Sequence, residues 1–195
     1  DQLAKSAYAT GGKLSLASGA TATSITSSTT MSDLGLTADG TLKLTIGGSS
    51  SDTLSVDVAT TDTVSSVISK INSAKSSSTS AGVTASFDAT NGRIYLASKT
   101  MGTAAGFAIS SDSSASVLSS LGLGSSVNYI AGQDGQITLN GAAYTSTNNS
   151  YTVNGLTITA NAEASDITLT TKNDTSGIYN SIKTFISDYS TLVNK

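Results

Sequence analysis

The 195-residue sequence contains no histidine, cysteine, proline or tryptophan. Without histidine or cysteine the chain cannot build a Ser-His-Asp triad, a thiol nucleophile or the usual zinc ligand sets. The lack of cysteine also excludes disulfides, so packing alone must stabilise the fold. These absences exclude most familiar classes of enzyme, and we expect no catalytic residue, no cofactor and no metal site.

Charge is also scarce. Charged residues make up 12% of the chain, with ten Lys and Arg against thirteen Asp and Glu, which gives a formal net charge of −3. No basic stripe is available to neutralise phosphates, so nucleic acid is not an expected partner. No run approaches the roughly 18 consecutive apolar residues of a membrane span, so a membrane is not expected either. Because the chain starts at Asp1 without a methionine, we expect a fragment of a longer protein.

Serine and threonine dominate the composition, far above their share in an average globular protein. Threonine fits the pleated surface of a strand, and serine fits turns and caps. The bias predicts a mainly β (α+β) fold with many turns rather than a helical bundle. Alternating apolar residues predict strands along much of the chain, including one at residues 13–17 and one around Ile167 and Leu169.

Residues 61–98 carry the clearest local pattern. Apolar residues at i, i+3, i+4, i+7 and i+10 from Val64 predict one helix at about residues 62–75, with Asp62 as its N-cap. After a serine-rich break at residues 75–80 the period changes to two, and Asn91-Gly92 suits the turn of a hairpin. We expect the apolar residues of this helix and hairpin to form a structural core rather than a binding site: Val64, Ile68, Ile71, Val83, Phe87, Ile94 and Leu96.

Two near repeats, Leu34-Gly35-Leu36 and Leu121-Gly122-Leu123, bracket the region between them. They mark either the entry and exit of an inserted domain or a chance recurrence in a chain rich in these residues.

Near the C-terminus, after a predicted helix cap at Asn173-Asp174-Thr175, apolar residues are spaced 4, 3, 4 and 3 apart. This spacing is typical of a heptad seam rather than of a broad amphipathic face. The seam belongs either to a coiled coil whose partner lies elsewhere or in another subunit, or to a terminal helix docked on the sheets. Its residues are Ile178, Ile182, Phe185, Tyr189 and Leu192.

Three pieces of the sequence resemble a known family. Residues 61–98, with SVISKINSA followed by AGVTASFDATNGRIYLAS, resemble the flagellin hook IN motif, named for the pair that stands here as Ile71-Asn72. DQLA at residues 1–4 resembles the opening of the head region of flagellar filament cap proteins. Residues 132–195, with the Asn140-Gly141 turn and the final helix, resemble their return segment. The order of these pieces, over nearly the whole chain, resembles the hook-associated protein 2 family of filament cap proteins.

The resemblance implies two small β-rich head domains, one inserted into the other, and the start of a helical coiled-coil leg. Residues 1–30 and 130–172 would form the discontinuous first head domain. Residues 31–129 would form the inserted second head domain, which carries the hook IN motif. Residues 173–195 would begin the leg, with the seam as its oligomer interface.

In function, the resemblance implies a structural protein, not an enzyme, that is exported by the flagellar type III system to the extracellular tip of the filament. Its implied partners are further copies of itself in a ring-shaped homo-oligomer, flagellin, an export chaperone and host surface glycans. It would promote the folding and insertion of exported flagellin. Two alternatives stay open: a variable outer domain of a flagellin or hook-filament junction protein, and a Ser/Thr-rich bacterial adhesin.

Overall fold

The computed structural model describes residues 2–47, 49–76, 82–165, 167–170 and 175–194. The chain divides into two compact units, Asp1–Glu163 and Ala164–Lys195. The strands are β1 Ser6–Thr10, β2 Gly40–Ile46, β3 Ser49–Val58, β4 Val83–Asp88, β5 Arg93–Met101, β6 Phe107–Ile109, β7 Asn128–Ile130, β8 Gly135–Leu139, β9 Ala142–Ser146, β10 Ser150–Val153 and β11 Leu156–Thr159. The helices are α1 Val64–Ser73, α2 Ala115–Ser120 and α3 Ser176–Val193, with a 3-10 turn at Thr103–Ala105.

A four-stranded antiparallel sheet has the order β4-β5-β1-β7. The predicted hairpin is confirmed as β4–β5, in which Ala85 lies opposite Leu96. On the far side of β5, Ala9 of β1 also lies opposite Leu96. One sheet therefore contains residues 6–10, expected in the first head domain, and residues 93–101, expected in the inserted one.

A second sheet, of three antiparallel strands, has the order β3-β2-β6. Its two long strands alternate as a half-buried sheet requires. Leu42 and Leu44 of β2 and Leu54 and Val56 of β3 are buried, and Leu44 pairs directly with Leu54. The alternation of apolar and polar residues along these two strands is therefore explained by one core-facing side of the sheet.

Helix α1 confirms the predicted helix but not its predicted cap. Thr63 is the N-cap, and its side-chain oxygen accepts from the backbone N–H of Ser66 at 3.2 Å. The prediction that Asp62 caps the helix is wrong, because Thr63 takes the cap position. Asp62 instead accepts from the Ser66 hydroxyl at 2.8 Å and forms an ion pair with Lys70.

The core lies between the two sheets and α1 as one continuous apolar cluster. Of the residues expected in the core, five are fully buried: Val64, Ile71, Val83, Ile94 and Leu96. The other two, Ile68 and Phe87, are partly buried and pack against the cluster. Hydrophobic burial on this scale is the main source of folding free energy for a chain without disulfides.

Both Leu-Gly-Leu repeats enter this core. The four leucines are buried: Leu34, Leu36, Leu121 and Leu123. Gly35 and Gly122 between them have φ of +93° and +65°, a left-handed conformation that glycine adopts without strain. Each glycine thus reverses the chain so that both neighbouring leucines point inward. Whether the repeats also mark the ends of an inserted domain stays a prediction.

Two predicted strands are wrong. Residues 13–17 form no strand, because the backbone N–H of Leu14 donates to Gly92 in a turn rather than to a neighbouring strand. Residues 167–170 also form no strand, and Ile167 is 68% exposed. The predicted cap at Asn173 and Asp174 and most of the serine-rich break after Lys75 lie outside the described residues.

Acid should destabilise the fold through Asp33. This carboxylate accepts from the backbone N–H of Thr21 at 2.7 Å and from the hydroxyl of Thr30 at 2.9 Å, which lowers its pKa below the ordinary 3.8. Between the two pKa values the unfolded chain binds a proton that the folded chain does not. The stabilisation that ionised Asp33 gives the fold is therefore complete above about pH 4, and it is lost as the pH falls through the lowered pKa. Thermal unfolding between pH 7 and pH 3 measures this loss.

In this titration Asp33→Asn should unfold at a lower temperature at neutral pH and should lose less stability in acid than the wild type. Asp112→Asn, at an exposed carboxylate, is the matched control and should follow the wild-type curve. Identical acid dependence in Asp33→Asn and wild type would contradict the assignment.

Tyr151 should tolerate loss of its hydroxyl. The residue is 2% exposed, and within the described part of the chain its hydroxyl has no hydrogen-bond partner. Burial raises the pKa of this hydroxyl above 10.0. Because a buried unpaired hydroxyl costs free energy, we expect Tyr151→Phe to leave stability unchanged or to raise it by up to about 1 kcal/mol. Urea denaturation would measure the change, with Tyr144→Phe as control, and a clear loss of stability would contradict this account.

Candidate oligomerisation surface on the C-terminal helix

Within the described residues, the N-cap of helix α3, Thr175, makes no side-chain capping hydrogen bond, and neither terminal turn carries a charge that complements the helix dipole. Two hydroxyls, those of Ser181 and Thr191, bond back to carbonyls four residues earlier, which does not favour the helix. Most of the stability of a helix of this length comes from burying an apolar face.

That face is exposed. The five residues predicted to form the seam are between 54% and 73% exposed, with Phe185 and Leu192 at the upper end. Large apolar side chains exposed along a whole helix are typical of a surface that another element covers. The structure therefore places the predicted interface residues on one accessible side of α3.

The apolar face is wider than the predicted seam. Sequence reasoning missed Tyr179, Ile186 and Val193, which are 57% to 66% exposed. They recur every seven residues, and each directly follows a residue of the seam. If the seam occupies heptad positions a and d, these three occupy e, and the face spans about 140° of the helix at 100° per residue. The signal was visible in the sequence as a second period of seven.

The remaining surface of α3 is polar. Asn180, Thr184 and Ser187 lie opposite the apolar face, and Lys183 and Asp188 are the charged residues among the described part of the helix. An a, d and e face is typical of a helix packed against more than one neighbour, whereas a strict a/d seam suits a two-stranded coil. With apolar residues at e, pairing by charge at the e positions is excluded.

The described residues contain no group of three His, Cys, Asp or Glu side chains that could hold a metal ion. None of the helices in the described part of the chain is both long and apolar enough to cross a membrane. The apolar face of α3 is therefore the strongest candidate for a functional site in the second unit.

Comparison with known families matches two parts of the chain. Residues 132–195 match the family model for the C-terminus of flagellar hook-associated protein 2. Residues 17–136 match the family model for the insert domain of the E217 tail sheath protein gp31. No curated protein sequence matches the chain significantly.

Solved structures give a consistent result for the fold. The D2-D3 domains of the flagellar cap protein FliD from Escherichia coli are similar with a TM-score of 0.59 and 22% identity, over 85% of this chain and 81% of that one. FliD (HAP2) from Pseudomonas aeruginosa PAO1 is similar with a TM-score of 0.63 and 22% identity, over 99% of this chain and 86% of that one. The predicted mainly β fold ending in a helix is confirmed.

The match at residues 132–195 contains the Asn140-Gly141 turn and the apolar helix on which the sequence-based assignment depends. The match at residues 17–136 contains the helix and hairpin with Ile71-Asn72. The predicted resemblance to the hook-associated protein 2 family is therefore confirmed by the match at residues 132–195 and by the fold, and residues 17–136, more than half of the chain, belong to the family of the gp31 insert domain.

Proposed function

We propose that this chain is part of a flagellar filament cap that assembles as a ring of identical subunits at the extracellular filament tip. The exposed a, d and e face of α3 carries the proposal, because Phe185, Leu192 and their neighbours need a covering surface. Further copies of the same helical region would supply that surface. The cap would promote the folding and insertion of flagellin that the flagellar type III system exports.

The chemistry of the chain supports a structural role rather than an enzymatic one. It has no histidine or cysteine, and its solubility depends on serine and threonine hydroxyls more than on charge. Three described aspartates have lowered pKa values, and each accepts hydrogen bonds from residues nearby in the sequence: Asp33, Asp62 and Asp88. These carboxylates hold loops in place, which suits a rigid head that other proteins contact.

Deletion and complementation in the source bacterium test this function. Cells that lack the protein should release flagellin into the medium instead of adding it to filaments. The wild-type gene should restore filaments, and a gene encoding Phe185→Asp with Leu192→Asp should not. A gene encoding Asn180→Asp with Ser187→Asp adds the same charge on the polar face and should restore filaments. Filaments of normal length in the deletion strain would overturn the proposal.

A further inference from the structure

Three hairpin turns of the chain contain an Asn-Gly pair: Asn91-Gly92, Asn140-Gly141 and Asn154-Gly155. Asn140 and Asn154 both have φ of +50°, and the glycines after them have φ of +82° and +81°. Two successive residues with positive φ form the tight turn that fits a two-residue hairpin, and Asn-Gly is its preferred sequence. The same pair is chemically labile, because glycine has no side chain to hinder attack of its backbone nitrogen on the asparagine carboxamide.

Asn140 and Asn154 are accessible for this attack. Both side chains are exposed, and within the described residues neither forms a hydrogen bond. Each turn closes a sheet of only two strands, with Leu139 opposite Ala142 in one and Val153 opposite Leu156 in the other. Among the described strands, no third strand pairs with either hairpin near its turn, so these turn ends open more readily than the turn of a larger sheet to the conformations that the reaction needs.

Asn91 lies in a different setting. Its side-chain nitrogen donates to Oδ2 of Asp88 at 2.6 Å, and its backbone N–H donates to Oδ1 of the same carboxylate at 3.1 Å. Gly92 is buried, and its carbonyl accepts from the backbone N–H of Leu14 at 2.8 Å. The turn also closes a hairpin inside the four-stranded sheet. The Asn91 carboxamide is therefore held away from the glycine nitrogen unless several hydrogen bonds break.

We propose that Asn140 and Asn154 are sites of spontaneous deamidation in the folded protein, and that the Asp88 carboxylate protects Asn91. The backbone nitrogen of Gly141 or Gly155 loses its proton to solvent base and bonds to Cγ of the asparagine. The Cγ–Nδ2 bond then breaks, and the nitrogen leaves as ammonia with a proton from water. One water opens the cyclic imide at either carbonyl, which gives aspartate or isoaspartate without any oxidant or reductant.

Modification changes both charge and turn geometry. Each event adds one negative charge, so conversion at both sites takes the formal net charge from −3 to −5. Isoaspartate also inserts one methylene into the backbone of a two-residue turn, and the geometry of such turns depends on their length. The two C-terminal hairpins of the first unit would therefore loosen with age while the hairpin of the main sheet stays intact.

Peptide mapping by mass spectrometry tests the proposal on the 195-residue chain, incubated folded at mildly alkaline pH and in parallel unfolded in urea. In the folded chain, Asn140 and Asn154 should convert at least about tenfold faster than Asn91, which corresponds to about 1.4 kcal/mol of extra opening free energy. In urea all three should convert at similar rates. Asp88→Ala should accelerate Asn91 in the folded chain, and Asp112→Ala, at an exposed carboxylate, should not.

Two results would overturn the proposal. One is equal conversion at Asn91 and Asn140 in the folded wild-type chain. The other is no conversion at Asn140 and Asn154 in the folded chain while the urea sample reacts. The wild-type comparison decides the question even if Asp88→Ala fails to fold, which circular dichroism would show.

Discussion

Replacing Phe185 and Leu192 by aspartate should abolish self-association through α3. Both side chains lie in the seam and are more than 70% exposed, so a charged group there must be desolvated whenever another helix covers the face. Buried aromatic and aliphatic anchors at the centre of an interface contribute about 2 kcal/mol or more each. The double variant should therefore raise the dissociation constant of self-association by at least about a hundredfold. Sedimentation velocity over a range of protein concentrations measures the change.

The matched control adds two aspartates on the opposite side of the same helix. Asn180→Asp with Ser187→Asp changes the net charge equally and leaves every apolar residue of α3 in place, so association should be preserved. A wild-type chain that stays monomeric at high concentration, or a control that loses association as fully as the seam variant, would contradict the interface. Circular dichroism separates loss of the helix from loss of association.

The e row gives this experiment a second arm. If Tyr179, Ile186 and Val193 contact a further neighbour, Ile186→Asp should reduce the size of the assembly without preventing pairing through a and d. If the seam alone is the interface, Ile186→Asp should behave as the polar-face control does. The size distribution in sedimentation velocity therefore separates a two-helix contact from a larger bundle.

Elements that depend on interactions between sequence neighbours could be predicted from the sequence, whereas elements that depend on distant strand pairing could not. Helix α1 and the β4–β5 hairpin were predictable because their periods of 3.6 and 2 are local properties of the sequence. Strand β1 was not, because Ser6–Thr10 becomes a strand only by pairing with β5 and β7, which lie some ninety or more positions later. Residues 13–17 alternate equally well, yet the Leu14 N–H bonds to a turn glycine. Alternation shows which side chains point inward but not which backbone groups find a partner.

The candidate surface shows a different limit. The 4, 3, 4, 3 spacing identifies only five residues between Ile178 and Leu192, because this spacing describes the seam of a two-stranded coil. The e row has its own strict period of seven, and exposure of all eight side chains makes the wider face evident. The a/d spacing assumes a single partner helix, so it cannot show that the apolar face of α3 is wide enough for more than one neighbour.

Asn72 provides the second large effect, because its side chain acts as the missing neighbour of an edge strand. Strand β4 is at the end of its sheet, and the register with β5 turns the N–H and C=O of Ala85 outward. The Asn72 carboxamide binds both: Oδ1 accepts from the Ala85 N–H at 2.7 Å, and Nδ2 donates to the Ala85 carbonyl at 3.0 Å. This pair of bonds repeats the pattern that another strand would make.

The Ile71-Asn72 pair of the motif connects helix α1 both to the core and to the edge of the sheet. Ile71 is fully buried and fastens α1 to the core, while Asn72, next to it, faces the open edge of the sheet. The Lys99 ammonium donates to the Asn72 carbonyl at 3.0 Å and ties the same residue to β5. An isoleucine and an asparagine in succession thus join a helix to a sheet by one apolar and one polar contact.

We expect Asn72→Leu to lower the free energy of unfolding by about 2–3 kcal/mol, because Ala85 is 3% exposed and both of its outward backbone groups lose their partner. The same change leaves the outward N–H and C=O of Ala85 on β4 without a partner, and an unpaired edge strand is a template for pairing with another chain. The variant should therefore also associate in a concentration-dependent way that the wild-type edge does not. Urea denaturation measures the first effect. Light scattering, with Phe185→Asp and Leu192→Asp also present so that α3 does not associate, measures the second.

Asn72→Asp separates the two bonds, since the carboxylate still accepts from the Ala85 N–H but cannot donate to its carbonyl. It should fall between wild type and Asn72→Leu in stability. Asn128→Ala, at an exposed asparagine on β7, is the control and should change stability by less than about 0.5 kcal/mol. If Asn72→Leu were as stable as this control, the outward groups of Ala85 would need no partner, and the edge of β4 would be protected by something other than the Asn72 amide.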